Sequence, residues 1–348
     1  MNRRRPDNGN RGGEMPASHD SLTVFAPASI GNVSVGFDAL GLALAPVNGI
    51  LLGDTVRLQA GEQDDWVLET HGAFADKLPS DPEQNIVLLC CRLFEKAMQE
   101  QGEAIRPLRI TLDKRLPIGS GLGSSASSVV AALEVLNRWY GNPVPLRQLF
   151  RMMAEVEGGI SGEIHLDNVA PCLFGGLRLC PPGTQSEYPL PWPSRWRAVV
   201  CWPGTELVTR EARAVLPEQV PRGTAVSHGA QFAQFVYALY TGNTRLAAES
   251  MVDLIAEPHR RALLPGFDQA REALLDMGTL AVGISGSGPT LFALTDELKV
   301  ADTAAQWLAQ HYQQNDQGFV HVCRADLGGA RSISAGRGSA DSRLSRQA

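Results

Sequence analysis

No apolar run in this 348-residue chain is long enough to span a bilayer, so no membrane partner is expected. None of its 6 cysteines forms a Cys-x-x-Cys pair, although Cys90 and Cys91 are adjacent. Neither a zinc site nor a dithiol redox motif is indicated, and a reducing cytoplasm fits best. Positive charge is not in excess: the net charge is −6, which argues against nucleic acid as a partner. Arg3-Arg4-Arg5 is followed by Pro, Asp, Asn and Gly rather than by an apolar core, so a signal peptide is not expected. The glycine-rich loop near residue 120 is not closed by Gly-Lys-[Ser/Thr], which excludes a Walker A loop.

What remains is an ordinary globular composition, 44% hydrophobic and 20% charged, with room for one large domain or two. Residues 1–20 and 332–348 are polar and rich in Gly, Arg, Asn or Ser, and read as disordered tails. Between them, the Pro-rich stretch Pro181–Pro193 divides an N-terminal half, 21–182, from a C-terminal half, 190–331.

The first half centres on Pro117-Ile118-Gly119-Ser120-Gly121-Leu122-Gly123-Ser124-Ser125-Ala126. A strand-like run, Leu108–Leu116, leads in, and an apolar run of helical length, Ala126–Tyr140, leads out. Glycines permit positive φ and a close approach to the main chain. Successive N–H groups and the start of a helix then make a phosphate cradle. A capped strand-to-helix turn with no ligand is the plainer alternative for such a loop.

Upstream, Leu22–Ala26 reads as a strand and Pro27–Asn32 as a loop. Asp38 is either a turn cap or a carboxylate that meets a ligand cation. A helix is expected over 85–101 and another over 145–157. Glu157 then stands at a helix end, against the dipole, where it is a solvated surface group or invites a cation such as phosphate-bound Mg²⁺. His165 is a packed loop histidine or a catalytic one, and Asp167 and Asn168 suit an Asx turn equally well. Phe174–Leu179 reads as a closing strand.

The second half reads as a strand (Arg197–Trp202), a short helix carrying Arg210 and Arg213 (Thr209–Val215), and helices over 228–240, 244–255 and 267–277, with a polar break at Glu257–Arg261. A strand (280–284), the tight turn Ser285–Pro289, a strand (290–294), a helix (298–312) and a strand (319–324) follow. Strand, helix, two strands, helix and strand make a split βαβ sandwich.

Three glycine-containing segments together resemble the GHMP small-molecule kinases, the superfamily of galactokinase, homoserine kinase and mevalonate kinase. They are Ala26-Pro27-Ala28-Ser29 with Gly36-Phe37-Asp38, the loop from Pro117 to Ala126, and Gly283–Thr290. Within it, Asn32–Leu40, His165–Pro171, Ile255-Ala256-Glu257-Pro258 and Leu263–Phe267 resemble the homoserine kinase family. The resemblance spans roughly 22–331. It implies an α+β, two-domain fold: an N-terminal ribosomal-protein-S5-domain-2-like αβ domain and a C-terminal ferredoxin-like αβ sandwich. It implies transfer of phosphate from ATP to L-homoserine, a step toward threonine, in a cytoplasmic homodimer, and leaves open whether threonine acts as a feedback inhibitor.

The resemblance also assigns roles. Pro117, Ile118, Gly119, Ser120, Gly121, Leu122, Gly123, Ser124, Ser125, Ala126 and Ser127 would bind ATP. Ser125 and Glu157 would hold Mg²⁺. Asp38 would meet the homoserine ammonium, Arg260 (or its neighbour Arg261) the carboxylate, and Arg213 the reacting phosphate. Asn32, His165, Asp167 and Asn168 would complete the acceptor and catalytic site. The sequence departs from some relatives where they carry an aspartate base: the matching position here is Asn168, which takes no proton at neutral pH. Catalysis without a strong general base is the resulting expectation. The rival readings are a kinase of the superfamily with another acceptor alcohol, and a non-catalytic amino-acid sensor.

Overall fold

The computed structural model describes residues 20–61, 63–161 and 165–334. The expectations for residues 1–19 and 335–348 lie outside them.

In the N-terminal half, strands β1 (Ser21–Pro27), β2 (Ser29–Gly31), β3 (Leu40–Pro46), β4 (Gly53–Gln59) and β5 (Val67–His71) precede helix α1 (Ile86–Glu100) and strand β6 (Arg109–Asp113). Helices α2 (Ser124–Trp139), α3 (Leu146–Ser161) and α4 (Val169–Phe174) follow, then strands β7 (Leu177–Leu179) and β8 (Tyr188–Leu190). The C-terminal half runs β9 (Arg197–Trp202), α5 (Thr209–Ala214), α6 (Arg222–Thr241), α7 (Thr244–Glu249), α8 (Glu257–Arg260), α9 (Phe267–Asp276), β10 (Ala281–Ile284), β11 (Leu291–Thr295), α10 (Leu298–His311), β12 (Phe319–Ala325) and β13 (Arg331–Ser332).

Two sheets result. The first has the order β13-β1-β4-β6-β5. Helix α2 is buried along nearly its whole length, its apolar middle and even Ser127, Ser128, Glu134 and Asn137 included, with α1 and α3 beside it. Such a helix belongs inside a core rather than at a surface. The second sheet has the order β10-β11-β9-β12-β3-β7-β8. Its C-terminal part is antiparallel, and read across the sheet its four strands are the second, third, first and fourth in chain order. That is the split βαβ arrangement expected from the sequence. Alternation divides its faces: Ala198, Val200 and Trp202 pack in one apolar cluster with residues of α6 and α7, Val199 and Cys201 in another with α9 and α10.

The halves are not separate sheets. Cys323 of β12 pairs with Pro46 of β3, and Ala325 with Leu44. The proline-rich connector carries a strand of its own, with Tyr188 opposite Leu179. Five local readings are corrected. Gly31 and Ser29, expected in a loop, pair with Gly41 and Ala43. The helix expected to end at Glu157 continues to Ser161, so Glu157 lies a turn inside it. A helix, α4, precedes the closing strand. The helix expected over 244–255 stops at Glu249, because Asp253 accepts the N–H groups of Ile255, Ala256 and Glu257 and starts α8 where a break was expected. The C-terminal tail begins later than 332: Ser332 pairs with Val24, and Ile333 N–H donates to Thr23 O, which extends the open edge of β1.

Candidate active site

A cavity of ≈ 730 Å³ opens between the loop that joins β6 to α2 and the segment around α5 and α8. The loop turns through Gly119, Gly121 and Gly123 at φ 62°, 79° and 65°, conformations that favour glycine. Space requires it too. A Cβ on Gly121 would stand 2.3 Å from Ser285 O, and one on Gly123 would stand 2.2 Å from Ser29 Oγ.

Four successive carbonyls of this loop are bonded to other segments. Gly119 O accepts from Leu207 N–H (2.9 Å), Ser120 O from Thr290 N–H (3.2 Å) and Leu122 O from Ser29 N–H (3.0 Å). Gly121 O accepts from Ser285 Oγ (2.7 Å). The C=O and N–H of a planar trans peptide point opposite ways. The N–H groups of Ser120, Gly121 and Gly123, each on the far side of its peptide from one of these bonded carbonyls, belong to residues that line the cavity. With the first turn of α2 beside them, such a run of main-chain N–H groups is suited to an anion.

The expected cradle residues do not all face this space. Ile118, Gly119, Ser120, Gly121, Gly123, Ser124 and Ser125 line it. Pro117 is not part of the wall, and Leu122 and Ala126 are wholly buried in apolar clusters. Ser127, expected among the ATP-binding residues, is committed elsewhere: its hydroxyl donates to Ala26 O (2.8 Å) and accepts from Asp54 N–H (2.9 Å). Helical spacing puts Ser124, Ser125 and Ser128 on the cavity side of α2, with Ser125 beside Glu157 of α3, and turns Ser127 away from it.

Glu157 is not a solvated surface group. Burial drives its pKa up, opposed by a hydrogen bond with Ser125 and by the charge of Lys114. Ser125 and Glu157 thus present a hydroxyl and a carboxylate together on the cavity wall.

At the other end, loop 32–38 holds a strained shape. Asn32, Val33, Ser34 and Asp38 have φ of 68°, 46°, 58° and 55°, a conformation costly for residues other than glycine. Asn32 fixes it: its Oδ1 accepts from Asp38 N–H (3.0 Å), and its Nδ2 donates to Gly286 O (2.9 Å). Asp38 then accepts from Arg213 Nη2 (2.9 Å) and Nη1 (3.2 Å), with His165 Nδ1 3.6 Å away. Asp167 is buried nearby. Burial first, then the Asp38 charge, push its carboxyl up to about 6; His165, Arg213 and the Asn32 N–H oppose them. Asn168 accepts from Ser29 Oγ (2.9 Å). Gly41 gives this segment room, since a Cβ there would stand 1.5 Å from Asp167 O.

Arg260 lies 3% exposed on α8, donating to Ala212 O and Gly286 O, both at 3.0 Å, with its guanidinium over the Phe37 ring. Arg261 points outward, 3.6 Å from Asp268. Of the two arginines, only Arg260 lines the cavity. The same wall carries Asn32, Asp38, His165, Asp167, Asn168 and Arg213.

Sequence reasoning missed Lys114, which lines the cavity, and Asp54, its buried ion-pair partner. The signal was Asp113-Lys114-Arg115, a charged end on a strand entering a glycine loop. It also missed the wall of Leu78, Pro79, Gln84 and Ile86.

The model described as GHMP kinases N terminal domain matches residues 85–176, and that described as GHMP kinases C terminal matches 235–314. Homoserine kinase from Cytophaga hutchinsonii is 34% identical over 92% of this chain and 100% of its own, with a TM-score of 0.83. This chain belongs to the GHMP kinase family. Its α+β, two-domain architecture is that of the family. A putative homoserine kinase from Listeria monocytogenes is similar to this GHMP kinase at 25% identity, covering 90% of this chain and 100% of its own, with a TM-score of 0.68. Mevalonate kinase from L. major shares the fold at 14% identity and a TM-score of 0.65, over 90% of this chain and 100% of its own.

Proposed function

We propose that this GHMP kinase transfers the γ-phosphoryl group of ATP to the side-chain hydroxyl of L-homoserine, giving ADP and O-phospho-L-homoserine, a step in threonine biosynthesis. The observation that carries the reading is the pair of opposite charges at the acceptor end, Asp38 and Arg260, on the same cavity wall as the glycine cradle. An α-amino acid needs a clamp of each sign, and a planar guanidinium suits a carboxylate. The similarity to the Cytophaga hutchinsonii homoserine kinase supports the same acceptor.

In this reading the cradle N–H groups hold the β- and γ-phosphates. Asp38 takes the ammonium of the acceptor, Arg260 its carboxylate, and Arg213 turns from Asp38 to the transferring group. The acceptor oxygen bonds to the γ-phosphorus as the bond to the ADP oxygen breaks, and the hydroxyl proton passes to the transferred phosphoryl group. A loose transition state makes little early demand for deprotonation, so alignment and charge stabilisation supply the rate.

Ser125 and Glu157 would hold Mg²⁺. The donors fit: a hydroxyl and a carboxylate are hard oxygens, side by side on the wall of the cavity that carries the cradle. Phosphate and water oxygens would complete the shell. When bound, the ion would offset charge on the transferred group.

The same proposal keeps 21–182 and 190–331 as two halves joined through the shared sheet. It places the enzyme in the cytoplasm as a homodimer, with threonine, a similar amino acid, as an inhibitor in the acceptor pocket. Six buried free cysteines suit a reducing compartment, and no described helix is long and apolar enough to cross a membrane.

ADP release measured with L-homoserine, L-serine and mevalonate, and mass spectrometry of the product, tests the reading. Phosphorylation of homoserine in clear preference is expected. Turnover of mevalonate instead, or ADP release with none of the three, would overturn it.

A further inference from the structure

Asp54 does not itself line the cavity, yet its carboxylate reaches both ends of the cradle. Oδ1 accepts from the N–H groups of Arg115 (2.8 Å) and Leu116 (3.0 Å), the residues that enter the loop. Oδ2 accepts from Ser128 Oγ (2.7 Å), in the second turn of α2, and from Lys114 Nζ. Lys114 Nζ donates in turn to Ser124 O (2.9 Å) and Ser128 Oγ (3.0 Å). Asp54 N–H itself donates to Ser127 Oγ. The group is wholly buried, on a strand more than 60 residues before the loop.

We infer that Asp54 is a positioning residue for the nucleotide. One carboxylate sets the distance between the entry of the cradle and the first turns of α2, and so fixes the curvature of the N–H groups between them. A loop with three glycines at positive φ has little rigidity of its own, so that curvature must be imposed from outside. Asp38, Asp167 and Arg260 are held by other groups among the described residues: Asp38 by the Arg213 guanidinium, Asp167 by the Asn32 N–H, and Arg260 by Ala212 O and Gly286 O. Loss of Asp54 therefore affects the nucleotide side alone.

The inference rests on the proposed ATP site, and the experiment separates the two. Fluorescent ADP analogue binding and steady-state kinetics are measured on the full chain, for the wild type, Asp54→Asn and Ser128→Ala. The expected result is an analogue Kd and an ATP KM raised tenfold or more in Asp54→Asn and severalfold in Ser128→Ala, with the homoserine KM within twofold of wild type. A role confined to stability would lower the melting temperature of both variants and leave the nucleotide constants of the folded enzyme unchanged, which would overturn the inference. Should Asp54→Asn fail to fold, Asp54→Glu, which keeps the charge but moves the carboxylate, replaces it; Ser128 lines the cavity itself, so Ser128→Ala is read only beside a variant at 54, and unchanged nucleotide constants in a folded variant at 54 overturn the inference. Wild-type enzyme that does not bind the analogue would sink the ATP site itself.

Discussion

Both oxygens of Asp38 are taken by one guanidinium: Arg213 Nη2 donates to Oδ1 at 2.9 Å and Nη1 to Oδ2 at 3.2 Å. An ion pair at the acceptor end of the cavity is a store of both signs of charge, which an amino-acid acceptor can divide. In the proposed reaction its ammonium would replace Arg213 at Asp38, and Arg213 would be released toward the phosphoryl group.

Asp38→Asn removes the anion and keeps the shape. A hydrogen bond to a charged group contributes about 1.5–3 kcal/mol, so the homoserine KM should rise roughly 10–100-fold while the ATP KM stays near its wild-type value. Arg213→Lys should instead lower kcat, since an ammonium does not reproduce the two-pronged contact. Steady-state kinetics with each substrate varied in turn checks both. An unchanged homoserine KM in Asp38→Asn would remove the amino-acid clamp.

Asp167 gives a prediction with opposite signs for stability and activity. Its carboxyl is pushed up from 3.8 to about 6, chiefly by burial. A raised folded-state value means that the native protein holds the proton more tightly than the unfolded chain. The resulting stability is fully present below pH 4 and is lost as the pH rises through about 6. At pH 8 the charge is a cost, so Asp167→Asn should be more stable than wild type, by on the order of 2–3 kcal/mol, and the gain should vanish near pH 4. Urea unfolding at the two pH values measures it. The same variant tests the chemistry: without a strong base, kcat should fall by less than ~10²-fold, whereas a fall of ~10⁴-fold or more with ATP binding intact would make Asp167 the base.

The glycine loops were legible because they advertise themselves by composition, and the order of the last four strands followed from period and turn signals. What the sequence hid was strain and distance. Nothing in Asn32-Val33-Ser34 announces three left-handed residues in succession, because the contacts that stabilise them come from Gly286, over 250 positions away. Asp54 and Lys114 read as charged strand residues until the fold brings them together under the cradle. Glu257–Arg261 looked like a polar break because its two buried ionic residues are satisfied only in three dimensions. Glu257 pairs with Arg271 of α9, and Arg260 bonds main-chain carbonyls of Ala212 and Gly286. Ser127 was misjudged for a simpler reason: within a run of serines, helical rotation decides which hydroxyl faces the cavity.

Gly121 and Gly49 make a matched pair. Both have positive φ, 79° and 83°, so an alanine at either carries a similar backbone strain, roughly 1–2 kcal/mol. They differ in surroundings. A Cβ at Gly49 meets nothing within 4 Å, whereas one at Gly121 would meet Ser285 O at 2.3 Å and Gly288 O at 2.8 Å. Gly49→Ala should therefore lower stability slightly and leave the ATP KM alone. Gly121→Ala should force the two glycine loops apart, raise the ATP KM by more than tenfold and lower the melting temperature further. Equal effects of the two substitutions would show that the close approach of the loops has no part in holding the nucleotide.

Arg260 and Arg261 are neighbours with opposite fates, and substituting each in turn tests the register of α8. Arg260 is buried, its guanidinium spread between Ala212 O and Gly286 O at 3.0 Å each and lying over the Phe37 ring. Burial lowers its pKa, with the Arg213 charge acting in the same direction, so this cation is costly until an anion joins it. A lysine cannot span two carbonyls and stack on a ring at once. Arg260→Lys should raise the homoserine KM by at least tenfold, with the ATP KM nearly constant. Arg261 is half exposed, 3.6 Å from Asp268, and exposed pairs of this kind contribute about 0–1 kcal/mol. Arg261→Ala should leave both KM values and kcat within about twofold of wild type, as expected of such a surface pair. If the two variants exchanged these phenotypes, α8 would be rotated by one residue from the position described, and the acceptor carboxylate would have to be assigned to Arg261.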